Sequence, residues 1–353
     1  MVLILKFFPL LLSALLLFHA APSAPQPLPE PEVRALAAVV MDENAHVLYE
    51  RSAHRMLPIA STTKIMTALV VLERCDPEER VTVPASCCGI EGSSMYLKAG
   101  ESYTVRELLT GLLLVSGNDA AAALAVHCAG DLPAFSSLMN EKARQLGMEE
   151  THFMNPHGLN EAGHYSTAHD MALLMRAAMD NGTFAELSSL RRAEIGGQTL
   201  VSHNKLFLRY DACISGKTGY TSVAGRCLVS CAERDSCRLF CVTLNDPDDW
   251  NDHEALYEWA YSRCEEHRFD AQSCRCEIPL LAGAASRAVV IPAEELRVLV
   301  PEGAEPVVTA ELPFYVFAPA AKGSPAGRLL LRAGERVLAE IPMIYAEDYP
   351  LNW

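Results

Sequence analysis

The sequence predicts an α+β fold, with helices packed on an antiparallel sheet and a small C-terminal all-β domain after it. Three observations carry that reading. Runs rich in β-formers stand near both ends of the first 266 residues, and segments with apolar residues at helical spacing lie between them. After about Cys264 the pattern changes, and Pro279, Pro292, Pro301, Pro306, Pro313 and Pro319 punctuate short alternating runs. With 353 residues, 50% of them hydrophobic, the chain is long enough to bury two cores.

Residues 1–24 read as a signal peptide. Lys6 is the one early cation, an apolar core of roughly a dozen residues follows from Phe7, and small residues and proline come next. That run falls short of the ~20 apolar residues a spanning helix needs. The Pro-rich stretch from Ala21 to Pro31 reads as an extended tether. Arg34 to Met41 and Val47 to Arg51, around Asp42-Glu43-Asn44-Ala45, form an edge hairpin. Ser61 opens a helix whose buried face is Ile65, Met66, Leu69 and Leu72. Two further helices, Thr104 to Val115 and Asp119 to Cys128, meet at Ser116-Gly117-Asn118. Thr167-Ala168-His169-Asp170 opens another with capping-box spacing, and Asn181-Gly182 closes it. Strand structure begins at Ile214 to Tyr220 and continues through a hairpin, and Asp252 to Arg263 is a closing helix. The expected division is a main unit over 25–266 and a β-rich unit over 267–353.

Twenty-nine basic against forty-four acidic side chains give a formal charge of -15. No basic run offers phosphate neutralisation, so nucleic acid is excluded as a partner. Twelve cysteines in an exported chain raise the question of disulfides. If Gly225 to Cys231 and Cys237 to Leu244 are joined through Ala232 to Ser236, Cys227 opposes Cys241 and Cys231 opposes Cys237. Either these pairs bridge or the thiols are small buried apolar groups. Neither Cys274-Arg275-Cys276 nor Cys87-Cys88 has the spacing of a zinc site.

Three short motifs carry the chemistry: Ser61-Thr62-Thr63-Lys64, Ser116-Gly117-Asn118 and Lys217-Thr218-Gly219. A serine hydroxyl needs a base within hydrogen-bond reach. Residues i and i+3 share a helix face, so Lys64 can present its amine to Ser61. To accept a proton that amine must be neutral, which burial and a neighbouring cation, Lys217, promote. The Ser61 N–H faces the region where an oxyanion forms. Ser116 can relay a proton between Lys64 and a leaving amine, and Asn118 offers an amide to a peptide. Lys217 and Thr218 can bind a terminal carboxylate, with Gly219 letting substrate backbone lie close to the strand. His152, His157 and His164 cluster in sequence, but Asn155-Pro156 and His157-Gly158 mark turns, and a packing role is the plainer reading.

These motifs and their flanks resemble the serine-type D-alanyl-D-alanine carboxypeptidases among the low-molecular-mass penicillin-binding proteins (peptidase family S11). The likeness extends to Pro58-Ile59-Ala60 before the serine, Asn118-Asp119-Ala120-Ala121, Asn155-Pro156-His157-Gly158-Leu159, His164-Tyr165-Ser166-Thr167, Asn204-Lys205-Leu206 and Tyr220-Thr221. The resemblance implies removal of the last D-alanine from peptidoglycan stem pentapeptides through a Ser61 acyl-enzyme, and acylation of Ser61 by penicillins and other β-lactams. It implies no metal and no cofactor, action outside the cytoplasm, and a Tyr220 N–H that joins that of Ser61 in an oxyanion hole. Ile214-Ser215-Gly216 before Lys217 departs from the common family pattern. No C-terminal amphipathic membrane anchor is visible before Trp353, which leaves a free secreted protein and one tethered by an uncleaved signal both open. Two rival readings fit less well. A class A β-lactamase usually has Asp where Gly117 stands, with a water-activating glutamate not evident here. A catalytically silent cell-wall module fits poorly with intact Ser61, Lys64, Ser116, Asn118 and Lys217.

Overall fold

The computed structural model describes residues 28–270, 274–301, 307–333 and 336–352, so the expected signal peptide, 1–24, lies outside the described residues. Five strands build the main sheet: β1 (Ala37–Asp42), β2 (Val47–Arg51), β3 (Cys213–Thr221), β4 (Gly225–Arg234) and β5 (Cys237–Leu244). Their spatial order is β2-β1-β5-β4-β3, antiparallel throughout. All six residues of β1 are buried, because both faces of the sheet are covered. Such a strand reads as a continuous apolar run rather than an alternating one.

One face packs on six helices: α1 (Lys64–Leu72), α2 (Val105–Leu114), α3 (Asn118–Ala129), α4 (Leu132–Gln145), α5 (Ala168–Met179) and α6 (Gly182–Ser188). Helix α3 sits among α1, α2 and α4. Its run Ala120–Ala125 is buried on every side, which small side chains permit and an amphipathic helix would not. The opposite face carries α7 (Asp249–Tyr261), whose Leu256, Tyr257 and Ala260 meet Ala38, Val40, Leu228, Leu239 and Cys241. Beneath that face Ser230 Oγ lies 2.8 Å from both Tyr257 Oη and His253 Nδ1, so the buried polar groups there satisfy one another.

Strand β6 (Cys264–Phe269) leaves the main unit and pairs with β9 (Leu296–Pro301); it spans the division expected after Glu266. Strands β7 (Cys276–Leu281), β8 (Arg287–Pro292), β10 (Val307–Glu311), β11 (Val316–Phe317), β12 (Pro325–Ala333) and β13 (Arg336–Tyr345) form a second sheet in the order β10-β12-β13-β8-β7-β11. It has its own core around Ile278, Val290, Leu329 and Met343. The α+β unit with a separate all-β domain is therefore observed.

Three local expectations are corrected. The β4–β5 hairpin turns on two residues, Asp235 and Ser236, rather than five, and pairs Arg234 with Cys237. The register therefore sets Cys227 opposite Leu244 and Cys231 opposite Phe240. Cys227 and Cys231 point into the helical core, Cys237 and Cys241 into the α7 side, and none of the four is in a disulfide. An odd shift of register moves every side chain of one strand to the other face, which removes both expected pairings. Asn181 does not end α5 but caps α6, its Oδ1 accepting from Phe184 N at 3.1 Å. Thr167 caps α5 as expected, but Asp170 turns away to accept from Glu150 N and Thr151 Oγ1 instead of completing the box.

Asp235 and Ser236 both hold positive φ, 47° and 63°, the geometry of a type I′ hairpin turn. Ser236→Gly is expected to stabilise the protein by roughly 0.5–1 kcal/mol, since glycine removes the left-handed strain at some entropic expense. Urea titration checks this; an unchanged or lower midpoint would contradict the turn assignment.

Candidate active site

Pro58 and Ile59 lead into a short 3-10 turn, Ala60–Thr63, that runs directly into α1. Ala60 has a φ of 48°, a strained value for a residue with a side chain. The strain is held from outside: a Cβ on Gly158, itself at φ 84°, would stand 1.9 Å from Ala60 O. Thr63 is locked at the same place, donating to Ala60 O at 2.8 Å and lying 2.9 Å from His164 Nε2. His164 Nδ1 accepts from Met154 N, which leaves the proton on Nε2 to donate to Thr63. Burial holds the rings of His157 and His164 neutral, lowering them to about 3 and about 4.

Ser61 emerges from this turn with Lys64 Nζ 2.8 Å from its Oγ. The amine is completely buried and has two other partners, Asn118 Oδ1 at 2.7 Å and the carbonyl of His157 at 2.8 Å. Asn118 cannot be flipped, because its Nδ2 donates to Glu91 O at 2.5 Å. Both of those partners are therefore pure acceptors, and when the amine is neutral they take its two hydrogens. In that state the lone pair faces the Ser61 hydroxyl proton. Burial chiefly, and then the Lys217 charge, push Lys64 far below the ordinary lysine range, while the Asp119 carboxylate opposes them. Asp119 also accepts from Ser94 Oγ, Met95 N and Leu97 N, pinning the segment that flanks the cleft.

Lys217 enters from β3, donating to Ser116 Oγ at 3.0 Å and to Thr218 O at 2.8 Å. Burial lowers it to about 7. Ser116 holds φ 61° at the α2–α3 junction, a second strained residue at the site. Gly219 lies against the nucleophile's turn: a Cβ there would come 3.0 Å from both Ile59 O and Ser61 N. Ahead of Lys217, a Cβ on Gly216 would meet Asn204 Nδ2 at 2.7 Å, so the departure at Ile214-Ser215-Gly216 is accommodated by close packing on Asn204.

Ser61, Ser116, Asn118, Thr218, Gly219 and Tyr220 line one cleft of about 600 Å³, with both lysines bonded to its wall from beneath. All eight expected site residues are thus brought together. Two details differ from expectation. The Asn118 amide is engaged at both ends within the protein, and Ser116 bonds Lys217 rather than Lys64. Sequence reasoning missed the His157 carbonyl, the Glu91 carbonyl and the Asp119 anchor. Carbonyl ligands have no side-chain signature, and only Asp119, directly after Asn118, could have been found.

The D-alanyl-D-alanine carboxypeptidase family profile, Peptidase_S11, matches residues 22–248. The chain belongs to that family. It is 30% identical to the D-alanyl-D-alanine carboxypeptidase DacF of Bacillus subtilis over 88% of this chain and 85% of that protein. Among solved structures, it is similar to penicillin-binding protein 5 of Haemophilus influenzae, with a TM-score of 0.66 and 27% identity over 92% of this chain and 99% of that one. A D-alanyl-D-alanine carboxypeptidase from Mycobacterium tuberculosis superposes with a TM-score of 0.64 at 36% identity, over 67% of this chain and 96% of its own. The carboxypeptidase family thus shares the α+β unit, and the Haemophilus protein spans the β domain as well.

Gly219→Ala is expected to slow acylation of the protein by a fluorescent penicillin about 100-fold, the scale of an ~1 Å misplacement at a reacting centre. Labelling at the wild-type rate would show that the strand does not need this approach.

Proposed function

We propose that Ser61 is the nucleophile of a serine D-Ala-D-Ala carboxypeptidase that trims peptidoglycan stem pentapeptides and is acylated by β-lactams. The observation that carries this reading is the partner set of Lys64, two acceptors and the Ser61 hydroxyl. Ser61 Oγ attacks the carbonyl carbon of the penultimate D-alanine as its proton passes to Lys64. The Ser61 and Tyr220 N–H groups stabilise the oxyanion. Lys217 and Thr218 hold the terminal carboxylate, and Asn118 positions Lys64. Because Ser116 Oγ accepts from Lys217, its own hydrogen is free to protonate the leaving D-alanine amine, and Lys64 returns the lost proton. Water then attacks the ester, gives its proton to Lys64, and frees Ser61.

The enzyme acts outside the cytoplasmic membrane, where this substrate is found. We assign 1–24 to an export signal, 25–266 to the catalytic unit and 267–353 to the β-rich domain, with β6 as the strand that links them. Among the described residues no helix is long and apolar enough to cross a membrane.

Release of D-alanine from a diacylated Lys-D-Ala-D-Ala peptide tests the reading. Ser61→Ala is expected to lose at least about 1,000-fold in kcat and all penicillin labelling. Rapid turnover of penicillin with no D-alanine release would instead indicate a β-lactamase.

The two lysines give a pH signature. Activity rises as pH passes up through the lowered pKa of Lys64, which must be neutral, and falls as Lys217 loses its charge at about 7. The kcat/KM profile is therefore bell-shaped. Lys217→Arg, which cannot titrate, is expected to remove the alkaline limb; a limb that survives would assign it to another group.

A further inference from the structure

We propose a structural zinc site formed by Cys75, Glu79, His127 and Cys128, at the end of α1 remote from Ser61. One ligand atom from each of Cys75, Glu79 and His127 lies within 4.8 Å of the others. His127 Nε2 is 2.9 Å from Glu79 Oε2, and the Cys128 thiol interacts with that of Cys75, a fourth donor beside the cluster but outside the mutual reach of the other three.

The donors come from two segments whose backbones are already fixed. Cys75 sits in the turn closing α1, its N–H donating to Val71 O at 2.9 Å. Glu79 O accepts from Val105 N at 2.9 Å. His127 and Cys128 occupy the last turn of α3. Two thiolates, an imidazole and a carboxylate form a borderline-soft set that suits tetrahedral zinc and not calcium or magnesium. Ligation at about 2.0–2.3 Å spaces donors by roughly 3.3–3.8 Å, so the site closes by side-chain rotations of Cys75, Glu79 and His127 with Cys128 turning in to join them. The bound centre would carry one net negative charge, with the Arg74 guanidinium near Cys128 to offset it. No C-x2-4-C spacing announces the site, because its donors converge from residues 75–79 and 127–128.

The placement has a structural logic. Helix α1 begins at Lys64 and α3 at Asn118, and those two side chains bond each other in the active site. A metal joining the far ends of the same helices would fix both ends of the pair. Four protein ligands leave no open position, so the role is structural. Binding releases the thiol protons, and affinity therefore rises with pH.

The test uses the full chain, purified without reductant, then reduced and stripped with a chelator. One equivalent of Zn²⁺ is expected to bind and raise the melting temperature, and Co²⁺ to give the strong visible bands of a tetrahedral thiolate site. Cys75→Ser and His127→Gln are each expected to weaken zinc at least about 100-fold, while both still label with penicillin. Cys276→Ser, in the β domain, should leave affinity unchanged. A Cys75–Cys128 disulfide in the purified protein, no stoichiometric zinc after reduction, or affinity unchanged in both variants overturns the proposal.

Discussion

A lysine amine buried completely against a serine, where burial and the Lys217 charge disfavour the ammonium form, is the constraint from which the rest of the site follows. A fully buried ammonium with only three neutral partners is costly, and the protein resolves this by surrounding Lys64 with groups that suit an amine. Each neighbour is fixed by a different element. Asn118 is the first residue of α3, the His157 carbonyl comes from a loop, and Ser61 from the turn before α1. Bringing those together requires the helical cluster to pack at close distance. The all-alanine stretch of α3 provides that closeness.

Strain is concentrated where these elements meet. Ala60 and Ser116 both adopt left-handed backbone, Ala60 directly before Ser61 and Ser116 with its own hydroxyl at the same cleft. Neither could persist without over-determination by its surroundings. For Ala60 the surroundings are visible: Thr63 and Gly158 crowd its carbonyl, and the β3 glycine, Gly219, crowds the far side of the turn. Rigidity of this kind keeps the Ser61 N–H aimed at a fixed point before substrate arrives, the condition for electrostatic preorganisation.

The motifs were legible because hydroxyl, amine and glycine each leave a letter at a fixed spacing. The existence of α1, α2, α3, α5 and α7 was legible too, from periodicity and caps, whereas α4 and α6 were not read. What sequence could not supply was register. The β4–β5 turn contains no glycine or Asn-Gly pair, so its two-residue form at Asp235-Ser236 was hidden, and with it the faces of four cysteines. The Asn181-Gly182 pair shows the reverse problem: a strong signal for a helix boundary that does not say whether the helix ends or the next begins. Asn118 was placed correctly but read as facing substrate. Only the carbonyl of Glu91, on a loop distant in sequence, decides which way its amide points.

The two lysines are chemically identical, yet the arrangement asks for opposite charge states. Lys217 is lowered by burial alone, whereas Lys64 is lowered by burial and by the charge of Lys217. The Lys217 charge therefore favours the neutral form of Lys64, against the opposing Asp119 carboxylate. A ligand carboxylate on Lys217 would offset that positive charge and relax its effect on Lys64. The amine would then become a stronger base at the moment a substrate with a free carboxyl terminus is in place. A peptide lacking that terminus leaves the repulsion intact. With the roles proposed for the two lysines, selectivity for terminal residues would have an electrostatic component, acting through proton affinity at Lys64 as well as through contact at Lys217.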